Sequence, residues 1–149
     1  MNIIYNIAVF KISLILSFLK LFNSKVKKFI DQRSNVFEIL EKNISKTDKY
    51  IWIHVASLGE YEQGLPVFKE LKKIYKNHKI LLSFFSSSGY ENKKDNNMAN
   101  LTVYLPIDSY SNSKKFIKTV NPEMVFFVKY EFWPNYLKTL KKNNIPTYL

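Results

Sequence analysis

Three short segments of the sequence place polar or acidic side chains directly after apolar runs that are typical of buried strands. A carboxylate that is held ionised in a cleft can act as a general base toward a hydroxyl group. Serine hydroxyls and the backbone N–H groups at a helix start can hold an anion. The segments are therefore candidate parts of one active site: "SLGE" (57–60), "SSSG" (86–89) and "EFWPN" (131–135).

The first segment combines a small, flexible loop with an acid. Gly59 permits a tight turn and a close approach of the backbone to a ligand. Glu60 stands at the start of a predicted helix, where the helix dipole favours its anionic form. An acid at this position can also serve only to initiate the helix. The residues alone leave both interpretations open.

The other two segments have similar pairs of interpretations. The segment Ser86–Gly89 either binds an anion or forms an ordinary helix cap. A buried Glu131 must be hydrogen-bonded or have a shifted pKa. Trp133 is either an anchor in the core or a wall against a substrate. His54 lies inside a strand run, which predicts a core histidine with satisfied hydrogen bonds rather than a base.

The composition excludes several other kinds of chemistry. The 149 residues include no cysteine, which excludes disulfides, thiolate metal sites and a cysteine nucleophile. Two histidines are too few for a histidine-rich metal centre, and we predict neither a metal nor a cofactor. The formal charge of +11 indicates an anionic partner or an AT-rich genome. Arg33 is the single arginine, which argues against a nucleic-acid partner.

The first thirty residues are apolar and basic, with five lysines and no acid. Lys11 and Lys20 interrupt the apolar stretch, so neither a spanning helix nor a secretory signal is predicted. We predict instead an amphipathic helix in a membrane interface, with its last lysines near anionic headgroups. The alternative is a helix that packs on the protein's own core or on another domain. The polar residues that share one helix face are Asn2, Asn6, Ser13, Ser17, Lys20, Ser24 and Lys27.

Strands alternate with helices from residue 50 onward, which predicts β/α units on a parallel sheet. Ligands of such sheets bind beyond the carboxyl ends of the strands. We predict an anchor helix and linker over 1–48, with a short helix within 31–48, and a Rossmann-like domain over 49–149. The sequence ends inside an apolar strand, so we expect half of a larger protein. The predicted strands are 50–56, 79–85, 101–108, 123–133 and 145–149; the predicted helices are 61–76, 111–120 and 134–144, with a loop and weak helix over 86–99.

Taken together, these motifs resemble the amino-terminal half of the 3-deoxy-D-manno-octulosonic acid (Kdo) transferases of lipopolysaccharide assembly. The tandem of "H-x-x-S-x-G-E" and "E-F-W-P-N" is far more specific than either piece alone. The resemblance extends from about Tyr50 to Leu149, and the amino terminus looks like the family's membrane anchor. The matching segments are "IWIHVASLGEYEQGLPVFKELK", "SSSGYE", "VYLPIDS", "NPEMVFFVKYEFWPNYL" and "NNIPTYL".

The resemblance implies a two-domain glycosyltransferase of the GT-B type at the cytoplasmic face of the inner membrane. It implies transfer of Kdo from CMP-Kdo to a hydroxyl of the lipid A precursor (lipid IVA), by direct and inverting displacement, without a metal or cofactor. Glu60 matches the motif glutamate that is taken as the catalytic base, and we assign Glu131 a supporting role. The remaining predicted substrate-binding residues are Ser57, Gly59, Ser88, Gly89, Trp133 and Asn135.

Two departures and two rival functions accompany the resemblance. The family's threonine-rich segment is Ser86–Ser88 here, and its first acid in "E-T-E" is Lys129, followed by Tyr130. The carboxy-terminal half that would hold CMP-Kdo is absent from this sequence, so we expect no turnover by the chain alone. The rivals are a non-catalytic, membrane-docked binding module or remnant, and another GT-B sugar-nucleotide enzyme.

Overall fold

The computed structural model of the chain describes residues 2–129 and 131–149, and for Asn2 the backbone alone. Strands and helices alternate from residue 50 onward after three amino-terminal helices. The helices are α1 (Asn2–Leu19), α2 (Ser24–Ser34), α3 (Val36–Asn43), α4 (Leu58–Ile74), α5 (Ser87–Lys93), α6 (Tyr110–Val120) and α7 (Pro134–Lys142). The strands are β1 (Tyr50–Val55), β2 (Lys79–Phe84), β3 (Leu101–Tyr104), β4 (Pro122–Phe127) and β5 (Thr147–Tyr148).

The five strands form one all-parallel sheet in the order β3-β2-β1-β4-β5. This confirms the predicted parallel sheet and is consistent with a Rossmann-like fold. Each predicted strand is present, but the last three are shorter than the sequence pattern indicated. Pro106 closely follows β3 and donates no hydrogen bond to a ladder, while Lys129, with its left-handed φ, marks the turn after β4.

The sheet is covered on both faces, and its side chains alternate between two cores. Trp52 is fully buried on one face, where its ring contacts Phe116, Phe127 and Tyr136. Ile51 and Ile53 point to the other face and pack with residues of α4. These alternating, fully buried strands explain why 50–56 reads as a nearly continuous apolar run.

The helix α3 belongs to the core of the domain. Val36 and Leu40 are buried in the same cluster as Trp52, and α3 contacts both β3 and α6. The short helix predicted within 31–48 is thus present, but it packs into the domain rather than joining a free linker. The domain boundary at residue 48 stays a prediction.

The predicted single amino-terminal helix is wrong, because the chain turns at residues 20–23. Asn23 caps a new helix after this turn. Its Oδ1 accepts the N–H groups of Lys25 and Val26 at 3.0 and 3.2 Å and so starts α2. Among the described helices, none is by itself long and apolar enough to cross a membrane. Residues 3–19 and 24–43 meet at an angle of 118°. Only together, as this bent pair, are they long and apolar enough for a membrane span.

Candidate active site

The candidate site lies at the carboxyl edge of the sheet, where β1 stands between β2 and β4. The chain proceeds from β1 to β2 and β3 on one side and crosses to β4 and β5 on the other. This reversal is the topological switch point, beyond which parallel sheets bind their ligands. The loops after β1 and β4 carry Glu60 and Glu131, so both predicted acids follow strands that flank this point.

Glu60 lies in the first turn of α4, which begins at Leu58, three residues before the predicted start. The Ser57 hydroxyl accepts the Glu60 N–H at 3.4 Å, and Glu60 Oε2 accepts the Ala56 N–H at 2.5 Å. This exchange is close to a capping box. Glu60 therefore does help to initiate the helix, and the same bond fixes its half-buried carboxylate at the edge of the sheet. Its other oxygen, Oε1, accepts no hydrogen bond from the described residues.

Gly59 does not form the predicted tight turn. It is the second residue of α4 and does not have a positive φ. A Cβ built on Gly59 meets only the Ser57 Oγ, at 4.0 Å, so the space beside it is open. The predicted approach of a ligand to this backbone is thus sterically possible, although the reason is an exposed helix start rather than a turn.

The serine segment forms the start of α5. Ser86 caps this helix by accepting the Gly89 N–H at 3.1 Å, while Ser88 is exposed with its hydroxyl 3.3 Å from that of Ser86. A Cβ on Gly89 would lie 2.4 Å from the Phe84 ring and 3.1 Å from the Leu58 nitrogen. Gly89 thereby allows the start of α5 to pack directly against the start of α4. Two helix N-termini, with their favourable potential for anions, are adjacent at this edge.

Residues of the two tandem motifs meet at the carboxyl edge. Trp133 Nε1 lies 3.0 Å from Glu131 Oε2 and 3.2 Å from His54 Nε2, so its N–H bridges the acid and the ring. His54 Nε2 and Glu131 Oε2 are 3.6 Å apart. The other ring nitrogen of His54 lies 2.9 Å from the Ser83 hydroxyl. His54 is fully buried with contacts on both nitrogens, which confirms the predicted core histidine.

These contacts determine the ionisation of Glu131. The neighbouring His54 ring is the largest cause that lowers the pKa of Glu131, and the Trp133 N–H acts in the same direction against the effect of burial. Its side chain is 21% exposed, so the carboxylate is both ionised and accessible. Trp133 is half-buried and also packs on Phe85 at 4.9 Å between ring centroids. It is therefore at once an anchor and part of the exposed edge.

The loop before Glu131 contains the departure from the family pattern. Lys129 has a left-handed φ of 63°, which a non-glycine residue adopts at some cost. Lys129 is exposed, and Tyr130 lies outside the described residues. The backbone is thus strained two residues before Glu131.

Asn135 is buried, and both of its amide hydrogens are bonded. Its Nδ2 donates to the Asp108 carbonyl at 2.7 Å and to Asn6 Oδ1 at 2.9 Å. The structure thus shows a role of Asn135 in the fold, and its contact with substrate stays a prediction.

Asp108 is the residue that sequence reasoning missed. Its carboxylate accepts the backbone N–H groups of Asn135 and Tyr136 at 3.0 and 3.1 Å and so caps α7 from a distance of 27 residues. It also accepts the Tyr5 hydroxyl at 2.8 Å, which attaches α1 to the domain. Burial raises the pKa of Asp108, while these hydrogen bonds oppose the rise. The lack of a capping side chain at Trp133 was the available signal that another residue must cap α7.

Four cavities of about 260 to 380 Å³ lie elsewhere on the surface, and the one of about 380 Å³ is between α6 and α7. None of these four includes Glu60 or Glu131. Within residues 2–129 and 131–149, no group of three or more histidine, aspartate or glutamate side chains could hold a metal ion.

Comparison with known proteins identifies the family. Residues 29–149 match the family described as 3-deoxy-D-manno-octulosonic-acid transferase (kdotransferase). The chain belongs to this family. The matched residues begin in α2, so the helix α3 that packs into the core lies inside the matched segment. The resemblance of the tandem motifs is thereby confirmed.

Individual relatives agree with this assignment. The chain is 32% identical to a 3-deoxy-D-manno-octulosonic acid transferase of Aquifex aeolicus over 66% of this chain and 29% of the relative. It is 28% identical to the transferase of the same name from Haemophilus influenzae over 89% of this chain and 31% of the relative. It is also 32% identical to a bifunctional glycosyltransferase/methyltransferase of Fusobacterium nucleatum over 80% of this chain and 18% of the relative. The chain thus spans about a fifth to a third of the length of these relatives.

Proposed function

We propose that this chain is the acceptor-binding part of a Kdo transferase, which moves Kdo from CMP-Kdo to a hydroxyl group of a lipid A precursor. The observation that carries the proposal is that the two tandem motifs converge on one edge. Glu60 is fixed there after β1, and Trp133, which follows β4, donates its N–H toward both Glu131 and the ring of His54 in β1. The names of the relatives support Kdo as the transferred group.

In this proposal Glu60 is the general base. The proton of the acceptor hydroxyl moves to the carboxylate, the acceptor oxygen forms a bond to the anomeric carbon of Kdo, and the bond from that carbon to the CMP oxygen breaks. CMP leaves with the electron pair of the broken bond, so the displacement is direct and inverts the anomeric centre. The free Oε1 of Glu60 is the atom available to take the proton, since Oε2 is already bonded to the Ala56 N–H.

Glu131 has a supporting role in the same edge. Its lowered pKa keeps it ionised at neutral pH, so it accepts hydrogen bonds from hydroxyl groups and does not donate a proton. Ser57, Gly59 and Ser88 border the adjacent helix N-termini, where backbone N–H groups favour anionic groups of substrate. The donor-binding half and the second wall of a GT-B cleft would come from a polypeptide region that the longer relatives have and this chain does not cover.

The surface of α1 supports an acceptor that is a lipid. The half-buried residues of α1 include Tyr5, Asn6 and Ser13, while Ser17 of the polar stripe is exposed together with most of the apolar residues. Exposed apolar surface of this extent marks a protein or membrane contact. We propose that it lies in the anionic inner membrane, at the cytoplasmic face, with Lys25, Lys27 and Lys28 near the headgroups. The exposed side chains include Ile3, Ile4, Ile7, Phe10, Ile12, Leu14, Ile15, Phe18, Leu21 and Phe22.

The position of α1 connects this surface to the active edge. The Tyr5 hydroxyl and Asn6 amide attach α1 to Asp108 and Asn135, which lie after β3 and in the first turn of α7. Asn135 follows Glu131 by four residues. A lipid held by α1 would therefore enter from the same edge of the sheet as the proposed base.

The proposal is tested by a transfer assay. The chain is joined to the carboxy-terminal part of the Aquifex aeolicus relative and incubated with CMP-Kdo and lipid IVA in neutral-detergent micelles. We expect a lipid product heavier by one or more Kdo residues in mass spectrometry. Binding of lipid IVA without a product, while the intact Aquifex relative is active in the same assay, would indicate the non-catalytic binding module instead.

A further inference from the structure

Arg33 is a buried cation, and nothing in the function proposed above uses it. It lies in the last turn of α2 and is only 7% exposed. Its Nη1 donates to the Phe29 carbonyl at 2.9 Å, and its Nη2 donates to the Phe85 carbonyl. Its Nε is buried without a partner. A guanidinium carries five N–H donors, so several of them remain without an acceptor in the described residues.

The charge of Arg33 is also uncompensated. The guanidinium lies 3.7 Å above the Phe29 ring and 5.0 Å from the rings of Phe85 and Tyr104. Tyr104 is the one titratable group whose charge acts on the pKa of Arg33 among the described residues, and burial lowers that pKa to about 10. Burial of a cation without a paired anion is costly, so such a cation is rarely retained for packing alone.

Arg33 lines a cavity of about 270 Å³ at the carboxyl end of β3. Ile30, Phe37, Pro106 and Ile107 supply apolar walls, and Asn112 borders the cavity from the first turn of α6. The Asn112 N–H is already accepted by the Ser109 hydroxyl, so the guanidinium is the group of this pocket that suits an oxyanion. A phosphate is the oxyanion that its planar fork binds in two hydrogen bonds. The apolar walls suit the carrier to which the phosphate is attached.

We propose that Arg33 is the centre of a phosphate-binding pocket between α2, α3, the loop after β3 and α6. The pocket is separate from Glu60 and Glu131 and does not depend on the transfer reaction. The phosphate is either free or carried on a lipid. The apolar walls and the closeness of the membrane-facing helices predict tighter binding of the lipid-borne form.

The single arginine makes the test direct. Uniformly ¹⁵N-labelled chain in neutral-detergent micelles has one Arg Nε–Hε signal, which reports on Arg33 alone. We expect this signal to shift saturably when inorganic phosphate is added and to stay in place with sodium chloride of equal ionic strength. Mixed micelles that contain phosphatidic acid should shift it at a concentration at least tenfold lower than inorganic phosphate, while phosphatidylcholine should not shift it.

Two variants separate the pocket from general attraction of anions to a basic protein. Arg33→Lys keeps the charge but loses the fork, and we expect at least tenfold weaker phosphate binding by calorimetry. Lys118→Gln removes a lysine from the cavity between α6 and α7 and should bind phosphate like the natural sequence. If Arg33→Lys does not fold, the titration of the natural chain decides. The proposal is overturned if neither phosphate source shifts the Arg33 signal. It is also overturned if chloride shifts the signal equally, because that result means an adventitious ion only.

Discussion

Glu131 and Trp133 form the part of the site whose chemistry depends most on single contacts. Because the native pKa of Glu131 is lowered, its ionised form contributes stability above the ordinary glutamate pKa, and that contribution is lost as the pH falls through the native value. Trp133→Phe removes the indole N–H and keeps an aromatic ring, so the pKa of Glu131 should rise toward its ordinary range. The loss of unfolding free energy on acidification should then begin at a higher pH than in the natural sequence.

NMR titration of the side-chain carboxyl carbons measures this shift. Glu123 is the internal control, because contacts with His78 and Lys49 lower its pKa at the opposite end of the sheet. Its titration should not change in Trp133→Phe. An unchanged Glu131 titration would show that the indole does not bond to the acid.

Gly59 and Gly89 differ in the space beside them: a Cβ would meet open space at Gly59 and the Phe84 ring at Gly89. Gly89→Ala places a methyl group 2.4 Å from Phe84 and should cost about 1–3 kcal/mol of the free energy of unfolding. Gly59→Ala adds a methyl group in open space inside a helix and should stabilise the chain by about 0.5–1 kcal/mol. Urea denaturation measures both values. A loss of stability in Gly59→Ala would contradict the open helix start.

The element whose position matters most for the proposal is α1, which a hydroxyl and an amide bond to the sheet domain and which also packs on α2. Tyr5→Phe removes a hydrogen bond to the Asp108 carboxylate, worth about 1.5–3 kcal/mol. Asp108 still caps α7 in this variant. We therefore expect faster hydrogen exchange, by about 10-fold or more, in the amides of α1 and little change in α7. Tyr110→Phe, which removes an exposed hydroxyl on α6, is the control, and equal exchange in α1 of both variants would refute the attachment.

The local elements could be predicted from the sequence, and the long-range contacts could not. Alternating apolar runs and helical periodicity indicated each strand of the parallel sheet, since these signals are local. The cap from Asp108 to α7 joins residues that are far apart in sequence, and no local pattern contains it. The burial of Val36 and Leu40 was missed for the same reason: a short amphipathic helix looks the same whether it covers a core or a linker.

The candidate site divides in a similar way. The positions of Glu60 and Glu131 at one edge of the sheet followed from the β/α alternation, because parallel strands end at one edge. That β1 and β4 are neighbours was not predicted. The role of Gly59 was misjudged, since the sequence does not show whether Ser57 or a later residue starts the helix. The bond from Trp133 to His54 joins residues 79 positions apart, and only the folded sheet brings them together.

At the scale of the whole molecule, the apolar surface of α1 predicts binding to anionic membranes. Replacing Phe10 and Phe18, each 63% exposed, with serine should weaken binding to phosphatidylglycerol vesicles more than tenfold, because each buried phenylalanine contributes about 1.5–3 kcal/mol. Val67 and Ile74 are exposed on α4, and their replacement with serine is the matched control, which should not alter binding. Co-sedimentation measures both. Equal binding of the two double variants would exclude α1 as the membrane contact.

The central claim, that Glu60 is the base of a Kdo transfer, is tested most directly by the rate of a Glu60→Gln variant. Glutamine can still accept the Ala56 N–H and so keeps the helix cap, but it cannot take the acceptor proton. Glu62→Gln changes the same charge two residues further along α4, where Glu62 pairs with Lys93, and is the control. In the chain joined to the donor half, we predict a loss of about 10²–10⁴-fold in kcat for Glu60→Gln, no loss for Glu62→Gln, and similar melting temperatures for both. A Glu60→Gln enzyme that transfers Kdo at a near-normal rate would contradict the account.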